Sequence, residues 1–286
     1  MDLEAARLMG MLQSGSTRML DALAEQCIPE TSPVDDLHYL LVAAQLSGER
    51  SPAALRRTAH ALASLHEKME ARKWLPSRFW PVRVRETFQR LVRLDSRLAA
   101  ALVADPAFGR PEHSLFGEAM EGVARAAAAR QLLRTARQTD VWTPGLVELI
   151  AELPAAEALP ALREKRHDPL LRDTIVMGIV RHADPADRPL LIEALASTQP
   201  PVVQKAAEAL RTFGGGPTAD LVPVIKALAR HEGNPAVAAA LQALLSAWTG
   251  RPAAKPSGLT GWLAWFRSAH PAEAEPIADE QQRDPS

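Results

Sequence analysis

The chain has 286 residues and a formal net charge of −1, and only 5% of its residues are aromatic. The single cysteine, Cys27, excludes an intramolecular disulfide, a cysteine-based zinc or iron–sulfur site and a Cys-x-x-Cys-His haem attachment. Alanine and leucine are abundant and β-branched alternation is scarce, so an all-α fold is expected. A length that is large for one compact core is ordinary for stacked helical repeats.

Residues 1–140 are predicted to form an irregular helical-repeat region. Short helices are expected on both sides of Gly15, followed by helices at about 34–46, 52–73, 81–94, 96–105 and 122–137. The first eleven residues carry three charged side chains, so neither a signal peptide nor a membrane span is expected there. The cytoplasm is the expected location if the chain is complete.

Residues 141–250 are predicted to contain three copies of a proline-led helix. The copies begin at Asp168-Pro169, Gln199-Pro200 and Asn234-Pro235, and a short helix precedes each one. Proline fits the first helical position, and an Asp or Asn before it can cap the helix. An apolar stripe at i, i+4 and i+8 is expected to be buried between layers, with the following members singled out: Leu171, Ile175, Leu210, Leu241 and Leu245. A period near thirty residues indicates a solenoid.

This pattern resembles the HEAT repeat family, which has a proline in the first helix and Asp-Pro, a branched apolar residue and Arg in the second. The segment 167–180 fits best. Gln199 replaces the aspartate of the second unit, and Val203 and Ala238 replace the arginines of the second and third. The resemblance implies a right-handed α-α superhelix, and these departures predict a weaker Asp/Arg ladder between units.

Two stretches resemble something narrower. Residues 33–41, and residues 80–84 leading to 104–111, are similar to the helical-repeat region of large planctomycete proteins that also carry c-type haem modules. The haem-attachment motif is missing from this sequence, so no redox role transfers to any residue here, and no cofactor is expected.

The charge is unevenly distributed along the chain. Residues 50–97 hold twelve Lys/Arg and four Asp/Glu, whereas residues 1–49 hold two and eight. The candidate partner or anion surface combines basic and aromatic residues: Arg72, Lys73, Trp74, Trp80, Arg83 and Arg85. Such a mixture can bind phosphates and stack bases. The simpler interpretation is a solvated helix face that pairs with the acidic N-terminal helices.

Other candidate sites have structural explanations. Gly214-Gly215-Gly216-Pro217 lacks the Gly-Lys-Ser/Thr end of a phosphate loop and is interpreted as a helix C-cap with a flexible link. Asp35 and Asp36 lie at a helix start, where the helix dipole explains them. The eight histidines show no metal-binding spacing, and no Gly-x-Ser-x-Gly motif is present, so neither a metal site nor catalysis is expected.

The C-terminal segment 251–270 is predicted to be a capping helix whose apolar stripe packs on Leu245 and Trp248. Ser257 or Thr260 is expected to start this helix, and its stripe consists of Leu259, Trp262, Trp265 and Phe266. Residues 271–286 are predicted to be a disordered acidic tail.

The sequence therefore predicts a monomeric, non-catalytic scaffold or protein-interaction module that binds an unknown protein partner and no membrane. The alternative is a protein that binds nucleic acid or another polyanion through residues 50–97. A third class, an enzyme such as a base-excision glycosylase, would need a buried carboxylate in a pocket flanked by tryptophans. Arg130 and Arg134 on the same face as the basic segment would favour the nucleic-acid alternative.

Overall fold

The computed structural model describes residues 3–12, 15–251 and 258–271. Sixteen α-helices and no β-strand occur in these ranges, which confirms the all-α prediction. The first nine are α1 Leu3–Leu12, α2 Thr17–Ala24, α3 Pro33–Ala43, α4 Pro52–Ala71, α5 Trp80–Leu94, α6 Arg97–Val103, α7 Ser114–Glu118, α8 Gly122–Thr139 and α9 Pro144–Ile150. The others are α10 Ala155–Glu164, α11 Arg172–Ile179, α12 Arg188–Ala194, α13 Pro200–Thr212, α14 Leu221–Arg230, α15 Pro235–Thr249 and α16 Leu259–Ala269.

The chain divides into two compact units, residues 1–153 and 154–286. In the first unit the helices pack in two rows, α1, α3, α5, α7 and α9 in one and α2, α4, α6 and α8 in the other. The packing order is thus regular, although helix length varies from 5 residues in α7 to 20 in α4. The sequence interpretation grouped α9 with the repeats, whereas the structure places it in the first unit, against α7 and α8.

Local signals start several helices of the first unit. The hydroxyls of Ser32, Ser51 and Thr143 each accept a hydrogen bond from the backbone N–H three residues on, and a proline follows each of them. This arrangement satisfies one of the free N–H groups of the first turn, and proline removes another. These starts are therefore encoded by the residues at the boundary itself.

The second unit contains the repeats. Helices α11, α13 and α15 form one layer, and α10, α12 and α14 lie against it. The stripe residues that the sequence predicted are all buried, as follows: Leu171, Ile175, Leu210, Leu241 and Leu245. The first repeat departs from the prediction, because α11 begins at Arg172 and not at Pro169. The carboxylate of Asp168 accepts from the N–H of Leu170, 2.9 Å away, so it closes a turn before the helix.

Successive repeats are joined by ion pairs at positions that the sequence pattern did not single out. Arg163 of α10 binds Asp184 and Asp187 in the turn before α12, with both nitrogen–oxygen distances at 2.7 Å. Arg188, the first residue of α12, binds Asp220 in the turn before α14 at 3.1 Å. The ladder therefore runs through arginines of the first helices, and the substitutions at Val203 and Ala238 do not remove it.

The glycine run packs against this ladder. Gly214 has a φ of +72° just after α13, and its carbonyl accepts from Arg188 at 2.8 Å. A Cβ on Gly216 would lie 2.3 Å from a guanidinium nitrogen of Arg188 and 2.5 Å from the Asp220 carboxylate. The guanidinium also lies over the Trp248 ring, 4.9 Å from its centroid. Gly216 thus makes room for an ion pair and is not simply a flexible link.

Helix α16 covers part of the second unit. Trp262, Leu263 and Phe266 are buried, while Leu259 and Trp265 are half-buried. Helix α16 packs against α14, and the Arg188 guanidinium lies over the Trp248 ring. The predicted packing of the stripe on Leu245 and Trp248 stays a prediction. Gly258 precedes the helix without a side-chain cap. Ser257 and the predicted tail from 272 to 286 lie outside the described residues.

Candidate interaction surface

The C-terminal end of α4 fixes the direction of Trp74. Lys73 has a φ of +52°, the left-handed conformation that ends many helices. Its N–H donates to the carbonyl of Glu70, and the N–H of Trp74 donates to that of Met69, 2.9 and 3.0 Å away. Two backbone bonds of this kind turn the chain sharply at the helix end. Trp74 and Met69 line the same cavity.

Trp74 forms one wall of a cavity that we call the Trp74 groove. The groove has a volume of about 300 Å³, and its lining includes Leu37, Leu41, Met69, Trp74, Trp80 and Arg83. Leu37 and Met69 are buried and form the floor, whereas Trp80 is half-buried and Arg83 is exposed. The Trp74 and Trp80 ring centroids are 6.2 Å apart with an interplanar angle of 59°. Side chains of α3, α4 and α5 therefore meet here around two tryptophans.

The structure brings only some of the predicted surface residues together. Trp74, Trp80 and Arg83 line the groove. Arg72 instead donates to the carbonyls of Glu30 and Thr31, and Arg85 binds Glu118 at 3.4 Å. Lys73 is exposed at the helix end.

Arg130 and Arg134, the two further arginines that would have favoured nucleic acid, do not line the Trp74 groove. Arg134 donates to the side chain of Gln131 in its own helix, α8. Arg130 also belongs to α8 and lines neither of the cavities described in this unit.

The predicted pairing of basic residues with the acidic N-terminal helices holds for some of them. Arg57 binds Glu25 at 3.0 Å, and Lys68 binds the buried carboxylate of Asp36. By contrast, no ion pair to Lys73, Arg78 or Arg83 exists within the described part of the chain, and Arg78 lies over the Phe79 ring. The positive charge beside the groove is therefore not neutralised by the acidic helices.

Sequence reasoning missed the exposed apolar residues beside the groove. All residues of the α4–α5 connector, 72–79, are exposed, and Leu75 is 88% exposed. Phe79 and Val82 are also exposed large apolar residues. The sequence did carry a signal for this surface: the adjacent apolar residues Trp74 and Leu75, between Lys73 and Pro76, belong to no helical stripe. Exposed apolar side chains grouped in one segment are typical of interaction sites.

A second cavity, which we call the His113 groove, shares Trp80 and Pro76 with the Trp74 groove. Its volume is about 310 Å³, and Trp80, Pro76, Leu62 and Phe116 contribute to its lining. His113 is buried there, stacked on Phe108 with ring centroids 5.2 Å apart. Its Nδ1 accepts from the N–H of Gly109 at 3.0 Å, and Nε2 donates to the carbonyl of Ala63 at 3.0 Å. These bonds fix a neutral imidazole.

Burial lowers the pKa of His113 from 6.5 to about 4, so we expect acid to destabilise the first unit. Between these values the unfolded chain binds the proton and the folded chain does not. Stability is therefore expected to fall by about 3 kcal/mol as the pH drops from 6.5 to 4. His113→Gln keeps one acceptor and one donor without the titration, so it should flatten this interval in urea titrations followed by circular dichroism. An unchanged pH profile in the variant would contradict the assignment, and His60→Gln, at an exposed histidine, is the matched control.

Burial strongly shifts the pKa values of two groups, the His113 imidazole and the Cys27 thiol. Burial raises the pKa of the Cys27 thiol to about 12, so it is protonated and a poor nucleophile at neutral pH. No three His, Cys, Asp or Glu side chains among the described residues are placed to hold a metal ion. Glu112 reaches the His113 groove near Trp80, but its side chain is 38% exposed and lies 3.4 Å from His66. Its Oε2 atom is shielded from water, but the side chain as a whole is half-buried and lies next to His66.

The family comparison agrees with the geometry of the second unit. Residues 155–246, from α10 into α15, match the family model of HEAT repeats. That match spans about a third of the chain and supports a helical-repeat solenoid there. No curated protein and no solved structure matches the sequence. Within the described ranges, the helices are too short or too polar to span a membrane.

Proposed function

We propose that this protein is a non-catalytic scaffold that binds a protein partner through the α4–α5 connector and the Trp74 groove. The observation that carries the proposal is the exposure of Trp74, Leu75, Phe79 and Val82 in one short segment beside an apolar cavity. Water-exposed apolar groups of this size gain free energy when a partner covers them. HEAT repeats in the second unit support a scaffold role, since such repeats present extended surfaces.

The resemblance of residues 33–41, 80–84 and 104–111 to the helical region of haem-bearing planctomycete proteins leads us to propose a scaffold within a multidomain architecture. The single cysteine means that any haem module would have to lie outside this chain. A continuous reading frame that joins this sequence to a Cys-x-x-Cys-His module would support this part of the proposal, and an isolated reading frame would contradict it.

Nucleic acid is the second candidate, because Arg83 and Lys73 lie beside two tryptophans without an ion pair. Two other members of that basic set, Arg72 and Arg85, are occupied by partners within the chain. Lys73, Arg78 and Arg83 are left without an ion pair in the described part of the chain. They are enough to attract a few carboxylates but fall short of a continuous cationic track for a strand of phosphates, so the observations favour a protein.

Site-specific photo-crosslinking tests the proposed surface. Leu75, Val123 and Leu170 are each 88% exposed and lie in the connector, α8 and the turn before α11. A photoreactive phenylalanine analogue at 75 is expected to capture a protein in the native source, and that protein should then bind the purified chain. Capture at position 170 alone would support the scaffold role but would place the interaction surface on the repeats and not on the connector. Capture at none of the three positions would contradict the interaction role.

A further inference from the structure

We propose that the Trp74 groove recognises an acidic, amphipathic segment of a partner protein. Large apolar side chains of that segment enter the cavity that Trp74 and Trp80 line, and its carboxylates face Arg83 and the basic connector. This inference rests on the proposed function and names the chemistry of the partner.

The shape of the groove argues for side-chain anchors. A volume of about 300 Å³ lies at the lower end of the range for small-molecule pockets, and the cavity opens at the exposed connector. Its floor is apolar, since Leu37 and Met69 are buried there. Aromatic rings beside an apolar floor are the usual setting of residues that dominate binding energy. One or two large apolar side chains of a peptide fit this space and chemistry.

The charges around the groove favour a negatively charged partner. No Asp or Glu lines it, and Arg83 at its rim makes no ion pair with any described residue. Some arginines of the first unit are paired, for example Arg97 with Asp95 at 2.8 Å and Arg125 with Glu152, whereas Arg56 on α4 is exposed without an ion pair in the described ranges and lies away from the groove. Lys73 and Arg78 add two more unpaired cations in the adjoining connector. A segment carrying carboxylates complements this rim and is steered toward it.

The arrangement of the rings distinguishes a peptide from single-stranded nucleic acid. Bases stack on open ring faces, with a cationic track for the phosphates. Here the two indoles meet each other at 59°, and Trp80 is half-buried at the start of α5. The cavity that they line together with Leu37 and Met69 is small and apolar, so it accepts a leucine or phenylalanine side chain better than a base.

A panel of labelled peptides tests the inference by fluorescence anisotropy. The first peptide has fifteen residues in which Leu and Phe anchors recur at helical spacing among Glu and Asp residues. In the second, Lys replaces each acidic residue, and in the third, Ala replaces each anchor. The protein variants are Trp74→Ala, Arg83→Glu and the charge-matched Arg56→Glu. Arg56 is exposed, has no ion pair among the described residues, and lies thirteen positions before Met69 on α4.

The first peptide is expected to bind, and the other two to bind at least about tenfold more weakly. Trp74→Ala and Arg83→Glu should each weaken the first peptide about tenfold, whereas Arg56→Glu should change its Kd by less than about twofold. Circular dichroism verifies that each variant is folded; if Trp74→Ala is not, Leu75→Ser replaces it.

Equal losses in Arg83→Glu and Arg56→Glu would overturn the inference, because they would indicate unspecific charge attraction. So would the absence of binding by the first peptide below about 1 mM. Tighter binding of a single-stranded oligonucleotide of equal charge would assign the surface to nucleic acid and overturn the inference. A dimer in sedimentation would show that a second copy of the chain fills the groove, and it would overturn the inference as well. If residue 75 crosslinks to a partner without an acidic segment, this inference fails and the interaction role stands.

Discussion

Asp36→Ala is expected to destabilise the first unit by about 3–5 kcal/mol. The Asp36 side chain is fully buried and binds the ammonium group of Lys68, which is itself buried. The hydroxyl of Thr31 donates to the same carboxylate at 2.5 Å. Removing the carboxylate leaves the Lys68 charge in a site with little water, and that desolvation is the source of the large cost.

Asp35→Ala is the matched control for this prediction. Asp35 lies in the same first turn of α3 but is half-buried, so only its helix-dipole contribution, about 0.3–1 kcal/mol, is lost. Lys68→Met in the Asp36→Leu background should recover part of the stability, because no unpaired charge then stays buried. Urea unfolding gives the free energy of unfolding of the unmodified chain and of each variant: Asp36→Ala, Asp35→Ala, Asp36→Leu and Asp36→Leu with Lys68→Met. An equal loss of unfolding free energy in Asp35→Ala and Asp36→Ala would contradict the prediction that an unpaired Lys68 charge is the source of the destabilisation.

Phe266→Ala is expected to cost about 3–5 kcal/mol in the second unit. The Phe266 ring is fully buried on α16, which lies against α14, and its removal leaves a cavity at that site. Thermal unfolding by circular dichroism or calorimetry measures the effect. The control is Trp265→Ala, since that ring is half-buried and should cost clearly less.

Truncation extends the same test to the whole helix. A chain that ends after residue 256 loses all of α16 and should melt at a lower temperature. A chain that ends after residue 271 keeps the helix and is expected to melt close to the full-length protein. A full-length melting temperature after the larger deletion would refute the capping role of α16.

Much of the fold could be predicted because its signals are local. Asn234 accepts from the N–H of Val237 and α15 begins at the next proline, so the boundary is written in four consecutive residues. The Asp168-Pro169 signal failed because Asp168 has two local options, and here its carboxylate closes a turn with Leu170. Propensity alone cannot rank these options, since each satisfies one backbone N–H.

The interactions that join distant residues were outside the reach of a single sequence. Arg163 and Arg188 meet their carboxylates 24 and 32 residues further along the chain, at distances that only the stacking of helices creates. The Trp74 groove has the same origin. Trp74, Trp80 and Arg83 are close in sequence and were singled out together, whereas Leu37 and Leu41 come from α3. Their role depends on how α3 packs beside α4 and α5.

The two-row order has a consequence for how the chain acquires its structure. Within each unit, the main packing partners of a helix are the next helix and the next but one along the chain. Proteins dominated by such near-neighbour contacts fold fast, in roughly microseconds to milliseconds, because little chain entropy is lost before contacts form. During synthesis, each helix that leaves the ribosome therefore meets surfaces made one or two helices earlier and need not wait for the rest of the chain.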